Sequence, residues 1–110
     1  MIEIKWSDPA LDDMVNIRDY IAKDSTFYAR RFIERIFDHV EKLADFPEIG
    51  RHVPEANDIK HVRELIFQGY RILYLLSPEH VSIITVIHGS KNLSQNEIEI
   101  LATWVQLYCQ

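Results

Sequence analysis

Cysteine, glycine and proline are scarce in this chain. Its single cysteine, Cys109, cannot form an internal disulfide, and this usage fits a reducing cytoplasm. Three glycines and four prolines in 110 residues exclude a fibrous chain, and no glycine-rich phosphate-binding loop is present. An apolar content of 47% excludes disorder, so we expect one domain spanning residues 1–110.

Long apolar runs and positive charge are scarce as well. No apolar run approaches the ~18 residues that a membrane-spanning helix needs, so we expect no membrane partner. The five histidines and the cysteine show no zinc-binding spacing, and we expect neither a metal nor a cofactor. The net charge of −5 disfavours a dominant nucleic-acid-binding surface, which needs many lysines and arginines.

Three apolar runs rich in β-branched and aromatic residues predict an antiparallel meander. The predicted strands span about 61–67, 70–76 and 81–88. Gln68-Gly69 predicts a tight turn between the first two strands, and a loop containing Pro78 joins the second strand to the third. These turns set which residues face one another, unless a bulge near Gly69 exchanges the faces of the first strand.

Side-chain alternation gives the predicted sheet two unequal faces. Ile72 and Tyr74 belong to the more apolar face, which we expect to lie beneath the helices. Glu64, Arg71 and His88 belong to a mixed face that we expect to be left uncovered. On this register Arg71 and His88 are near neighbours at one end of the sheet.

Helical periodicity predicts three helices in the rest of the chain. They span about 8–23, 26–45 and 95–108. The first two are separated by a short break and predict a helix hairpin, while the alternating residues 2–6 predict an edge strand. The expected fold is therefore α+β in the order β-α-α-β-β-β-α, with a four-stranded, mainly antiparallel sheet, a helix hairpin on one face and a C-terminal helix.

The C-terminal helix is predicted to be apolar on two sides. Ile98, Leu101 and Val105 form one stripe, which Ile100 and Trp104 widen. A short helix with two apolar sides needs two contacts. Its own sheet is one, and a second copy of the chain in a homodimer is the candidate for the other.

Five short strings occur in a fixed order along the chain. They are YIA at 20–22, FPEIGR at 46–51, VREL at 62–65, GYRILY at 69–74 and VIHGSK at 86–91. Together they resemble the RelE/ParE superfamily of bacterial toxins over roughly residues 8–92. The resemblance implies a cytoplasmic toxin of a type II toxin–antitoxin pair, of the plasmid-stabilisation type, with a cognate antitoxin as its partner.

The superfamily divides by cellular target. ParE-like members poison DNA gyrase, whereas RelE-like members are endoribonucleases that cut messenger RNA on the ribosome. The arginine of GYR, Arg71, is shared by both branches, but Val62 and Glu64 stand where RelE-like members carry lysines. The resemblance therefore implies a ParE-like inhibitor of gyrase. The alternatives are a RelE-like endoribonuclease using Arg71, His88 and Lys91, and a non-toxic binding module of the same fold.

Five residues are candidates for binding the antitoxin or the target. They are Arg51, Glu64, Arg71, His88 and Trp104. Arg71 would hold a phosphate or a carboxylate of the antitoxin in a bidentate contact, or it would simply form a surface ion pair with Glu64. His88 would act as a general base, or it would bond to a turn at the strand end. We expect the antitoxin to dock on the uncovered mixed face around Arg71.

Overall fold

The computed structural model describes residues 1–108 and has the predicted α+β fold. Cys109 and Gln110 lie outside the described residues. The elements are β1 (Glu3–Trp6), α1 (Asp8–Ala22), α2 (Thr26–Glu41), β2 (Arg51–His52), β3 (Val62–Phe67), β4 (Tyr70–Leu76), β5 (His80–His88) and α3 (Gln95–Tyr108). Short 3-10 turns occupy Lys42–Ala44 and Pro54–Ala56. The predicted order of helices and strands is confirmed, with β2 as an addition.

The sheet has five strands in the order β1-β5-β4-β3-β2. β1 runs parallel to β5, and the other pairs are antiparallel. The prediction of four strands is wrong because the proline-rich loop contributes β2, in which Arg51 pairs with Glu64 and His52 with Arg63. A strand of two residues has no periodicity that a sequence pattern could reveal.

The helices begin where their capping residues predict. The hydroxyl of Ser7 accepts the N–H of Ala10 at 3.2 Å at the start of α1. At α3, Ser94 and Glu97 form a reciprocal capping box, with N–H to side-chain oxygen distances of 3.0 and 3.1 Å. These local hydrogen bonds fix the entry of the chain into each helix, including the helix that turns back over the sheet.

The turn between β3 and β4 is the predicted tight hairpin. Gln68 and Gly69 both have positive φ, 45° and 88°, which is the backbone of a two-residue turn matched to the twist of the strands. Leu65 faces Ile72 as predicted, so the first strand keeps its faces. Arg71 consequently lies on the face turned away from α1 and α2.

β5 contains a bulge that reverses the faces of its second half. Tyr74 pairs with Ile83 as predicted, but Leu73 pairs with Thr85, so Ile84 is the extra residue. One extra residue moves every later side chain to the opposite face. Register beyond Ile83 is therefore displaced by one residue from the prediction.

The bulge separates Arg71 from His88. Tyr70 pairs with His88, whereas Arg71 pairs with Ile87. Val86 packs into the core beneath α1 and α2, and Ile87 packs against the core on the opposite face. The prediction that Arg71 and His88 share a face is wrong, because alternation was extended through a position where the strand is irregular.

Both faces of the sheet are covered. The core beneath α1 and α2 contains Ile72, Tyr74 and Ile83, as predicted. The second core lies between the opposite face, the 53–59 segment and α3. Its buried members are Val53, Ala56, Val62, Leu73, Leu75, Ile84, Leu93 and Leu101. The expectation of an uncovered mixed face is wrong, because α3 folds back over the sheet and buries its apolar residues there.

Leu107 of α3 is exposed, and Ile100 is 46% exposed although it also lines a hollow between α3 and the sheet. The predicted contact of α3 with its own sheet is confirmed by Leu101 and Trp104, and the homodimer stays a prediction. Within residues 1–108, no helix combines the length and apolar character needed to cross a membrane.

Candidate functional site

Arg71 is buried in a network of charged hydrogen bonds beneath the start of α3. Its Nε donates to Glu64 Oε1 at 2.7 Å. Its two Nη atoms grip the carboxylate of Glu55, at 2.8 Å to Oε2 and 2.7 Å to Oε1. Nη1 also donates to the backbone carbonyl of Lys91 at 2.8 Å. Four of the ~5 N–H groups that an arginine offers are therefore occupied.

Glu64 lies between two arginines. Its side chain is fully buried, and Arg51 Nε from β2 donates to its second oxygen at 2.6 Å. Both partners neutralise the carboxylate and satisfy its oxygens, as a buried charge requires. Arg51 reaches this contact from the surface and stays more than half exposed. Glu64 therefore holds β2 and β4 on either side of β3.

Glu55 connects this network to the C-terminal part of the chain. It stands in the 3-10 turn Pro54–Ala56, and its Oε2 also accepts the N–H of Leu93 at 2.9 Å. Together with the Lys91 carbonyl bound to Arg71, this fixes the segment that leads into α3. We call Arg51, Glu55, Glu64 and Arg71 the Arg71 network.

Hydrogen bonding from Arg71 dominates the electrostatics of Glu55. It lowers the pKa of Glu55 from 4.5 to about 2, against the opposing effect of burial. In return, hydrogen bonds from Glu55 and Glu64 raise the pKa of Arg71 further above its ordinary value. Glu55 and Arg71 therefore stay charged at neutral pH, and the contact between them is a hydrogen-bonded ion pair.

His88 lies apart from the network, at the exposed end of β5. Its ring meets the ring of Tyr70 edge to face, with centroids 5.6 Å apart. Its Nδ1 accepts the backbone N–H of Ser90 at 3.2 Å and lies 2.7 Å from the Ser90 hydroxyl. The expected contact with a turn is thus made to Ser90 and not to a carbonyl oxygen. His88 reaches neither Arg71 nor its carboxylates.

The backbone carbonyl of Lys91 accepts a hydrogen bond from Arg71, but its ammonium group binds outside the network. The Nζ atom forms an ion pair with Glu97 Oε2 at 3.2 Å, at the first turn of α3. Hydrogen bonds lower the pKa of Glu97, the largest effect coming from the backbone N–H of Ser94 and the next from the ammonium of Lys91. The lysine thus ties its own loop to α3 and does not face the guanidinium of Arg71.

Trp104 lies between α3 and the sheet, half-buried, with a hollow on either side. One hollow of about 140 Å³ is lined by Leu73, Thr85 and Leu93, among others, and the second, of about 290 Å³, by Leu75 and Ser82, among others. The indole therefore separates two hollows, and the contact between α3 and the sheet is not fully packed on either side of it. This position makes Trp104 part of the helix–sheet packing.

The six candidate residues therefore do not form one site. The side chains of Arg51, Glu64 and Arg71 are joined, while those of His88, Lys91 and Trp104 are separate from them. Sequence reasoning missed Glu55, since no local pattern links a carboxylate in a turn to an arginine 16 residues later. Among residues 1–108, no group of three histidine, cysteine or acidic side chains is arranged to hold a metal ion.

Comparison with known proteins finds a family model and relatives that are all described as toxins. A family model described as "ParE toxin of type II toxin-antitoxin system, parDE" matches residues 4–93. "Toxin RelE2" of Caulobacter vibrioides is 32% identical over 92 residues, which are 83% of this chain and 99% of that protein. "Putative toxin Y4kP" of Sinorhizobium fredii is 36% identical over 94 residues, which are 84% of this chain and 93% of that protein.

A solved structure shares the fold. In the "Chromosomal ParDE TA system from P. aeruginosa", one chain superimposes with a TM-score of 0.68 at 19% identity, covering 80% of this chain and 96% of that chain. The family match ends at residue 93, just before α3 begins at Gln95. The helix that covers the second core therefore lies beyond the matched residues.

Replacing Arg71 with alanine should cost about 3–5 kcal/mol of unfolding free energy, because the half-buried carboxylate of Glu55 and the buried carboxylate of Glu64 would lose the cation that compensates their removal from water. Urea denaturation measures this loss. The control is Arg18→Ala, because Arg18 pairs with Asp19 on the surface of α1 and should contribute at most about 1 kcal/mol. Equal losses in the two variants would contradict a structural role for Arg71.

The free energy of unfolding should fall by on the order of 3 kcal/mol from about pH 5 to about pH 2, through Glu55 alone. The pKa of Glu55 is lowered on folding, from 4.5 to about 2, so its contribution is complete above 4.5 and is lost as the pH falls through 2. Urea titrations across this range measure the slope. Glu55→Gln should flatten it, whereas Glu99→Gln, at an exposed position on α3, should leave it unchanged.

Proposed function

This chain belongs to the ParE toxin family of type II toxin–antitoxin systems, and we propose that it acts by binding DNA gyrase without cutting a nucleic acid. Membership of such a system implies a cognate antitoxin that neutralises the toxin. The gyrase target follows the ParE-like character of the chain. The burial and pairing of Arg71 support binding as the mode of action.

The buried pairing of Arg71 carries this proposal. Cleavage of RNA needs cations free to stabilise the charge that develops on the scissile phosphate. Arg71 is only 4% exposed, and two carboxylates and a carbonyl already occupy it. A phosphate would have to displace Glu55 and Glu64, and Glu64 is itself 1% exposed. The residue that both branches of the superfamily share is thus engaged in the fold.

The other residues of the alternative catalytic set are dispersed. General acid–base catalysis needs a proton donor or acceptor within hydrogen-bond reach of the reacting group. His88 is on the opposite face from Arg71, and the Lys91 ammonium pairs with Glu97. A ribonuclease acting through these residues would require the C-terminal segment to be rearranged.

The RelE-like endoribonuclease remains the alternative, because one relative is named "Toxin RelE2". A non-toxic binding module of the same fold is the second alternative. The three readings differ in what the purified protein does to gyrase and to ribosome-bound messenger, so two assays separate them.

The purified toxin should inhibit gyrase-dependent supercoiling and leave messenger RNA on programmed ribosomes intact, because its family-shared arginine is occupied. Gel assays of plasmid topology and primer extension on the messenger measure the two outcomes. His88→Ala should change the inhibition of gyrase by less than about threefold, whereas loss of a catalytic acid or base costs ~10²–10⁴-fold. His52→Ala, at an exposed histidine of β2, is the matched control.

Codon-specific cleavage on the ribosome that His88→Ala abolishes and His52→Ala retains would reject the binding mechanism and establish the endoribonuclease. Failure in both assays, with retained binding of the antitoxin, would identify the non-toxic module. Adding the antitoxin before gyrase should remove the inhibition, which checks that the effect belongs to the toxin.

A further inference from the structure

A groove runs along α2 beside the tip of the β3–β4 hairpin, on the helix side of the sheet. Its first part, of about 340 Å³, is lined by Phe27, Tyr28, Arg31, Phe32, Arg35 and Gln68. Its second part, of about 280 Å³, is lined by Arg35, Asp38, His39, Lys42, Phe67 and Gln68. The two parts adjoin at Arg35 and Gln68, which line both, and we call the combined surface the α2 groove.

The α2 groove is positively charged on an acidic protein. Arg31, Arg35 and Lys42 line it against one carboxylate, Asp38, although the whole chain carries −5. Within residues 1–108, no ion pair involves any of these three cations. Burial and then Lys42 lower the pKa of His39, so this residue adds little charge at neutral pH.

Aromatic side chains form the floor and one end of the groove. Phe67 lies beneath it, with its ring centroid 5.9 Å from that of Phe32 and 4.9 Å from that of His39. Phe27 and Tyr28 are mostly exposed at the first turn of α2, where Arg31 lies 5.9 Å over the Phe27 ring. Exposed aromatics beside cations are typical of binding surfaces and contribute little to the core.

We propose that the α2 groove docks an acidic, amphipathic segment of the cognate antitoxin. Carboxylates of that segment would meet Arg31, Arg35 and Lys42 in charge-assisted hydrogen bonds, and its apolar side chains would cover Phe27 and Tyr28. The proposal rests on membership of a toxin–antitoxin family and is independent of whether gyrase is the target. The docking surface expected around Arg71 is already occupied by α3, whereas the α2 groove is open.

The length of the charged row suits a short peptide. Arg31 and Lys42 are 11 positions apart, or about 17 Å along the helix axis. About three helical turns, or about five extended residues, span that distance. A nucleic acid is the poorer fit, because three cations on a chain of charge −5 neutralise few phosphates while the rest of the surface repels them.

Charge reversal tests the electrostatic half of the proposal. The probe is the small antitoxin protein encoded beside this chain's gene, titrated into the full-length toxin by calorimetry at low and moderate salt. Arg31→Glu and Arg35→Glu should each weaken binding about 10–100-fold and reduce its dependence on salt. Arg30→Glu is the matched control on the same helix, because Arg30 pairs with Glu34 outside the groove. It should change Kd by less than about threefold.

Removal of an aromatic ring tests the apolar half. Tyr28 and Tyr20 are equally exposed, at 67% and 68%, but only Tyr28 lines the groove. Tyr28→Ala should weaken antitoxin binding about tenfold, which is the loss of one aromatic contact, and Tyr20→Ala should leave Kd unchanged. Unchanged thermal midpoints show that each variant is folded.

Equal effects of groove and control variants would overturn the proposal, and so would unchanged affinity throughout. A further outcome would also overturn the proposal, in favour of a nucleic acid as the ligand. In that outcome Arg31→Glu and Arg35→Glu bind single-stranded RNA or a DNA duplex more weakly than the unchanged protein does, while their affinity for the antitoxin stays constant. The titrations contain neither gyrase nor ribosomes. A failed gyrase assay therefore does not affect them, and a failed titration does not affect the gyrase assay.

Discussion

The grip of Arg71 on Glu55 and Glu64 is the contact on which the rest of this face depends. It joins β3, β4, the Pro54–Ala56 turn and the segment before α3 through charged hydrogen bonds of 2.7–2.8 Å. Arg71 is the common partner of both carboxylates, so its loss leaves Glu55 without an arginine and Glu64 with Arg51 alone. The segment bonded at this junction leads into α3, which carries Leu101 and Trp104 onto the second core.

Local chemistry could be predicted from the sequence, and irregular pairing could not. Helix starts and the β3–β4 register were predictable because they depend on contacts between residues close in sequence. Examples are the Ser94–Glu97 capping box and the Gln68-Gly69 turn. The bulge at Ile84 could not be recognised, because no turn residue marks it. An isoleucine fits a regular strand as well as its neighbours do. Glu55 meets Arg71 only through the tertiary fold, so the pairing of Arg71 was predicted with Glu64 alone.

The two sides of the fold differ in how their charged residues are paired. On the sheet side, α3 and the Arg71 network use the charges and apolar residues to build a second core beyond the residues that the ParE family model matches. On the helix side, Arg31, Arg35 and Lys42 stay unpaired within residues 1–108 and border exposed aromatics. On the proposals above, the helix side would bind a protein partner, while the buried pairing of Arg71 contributes to the stability of the sheet side.

The central claim is that Arg71 is a fixed structural residue and does not bind phosphate. Nitrogen-15 NMR of arginine side chains, assigned with Arg71→Lys, tests it most directly because rotation and proton exchange slow down when a guanidinium is gripped by carboxylates. We predict separate, slowly exchanging Nη–H signals for Arg71 that do not move when single-stranded RNA is added. A single averaged Nη signal that shifts with RNA would contradict the account.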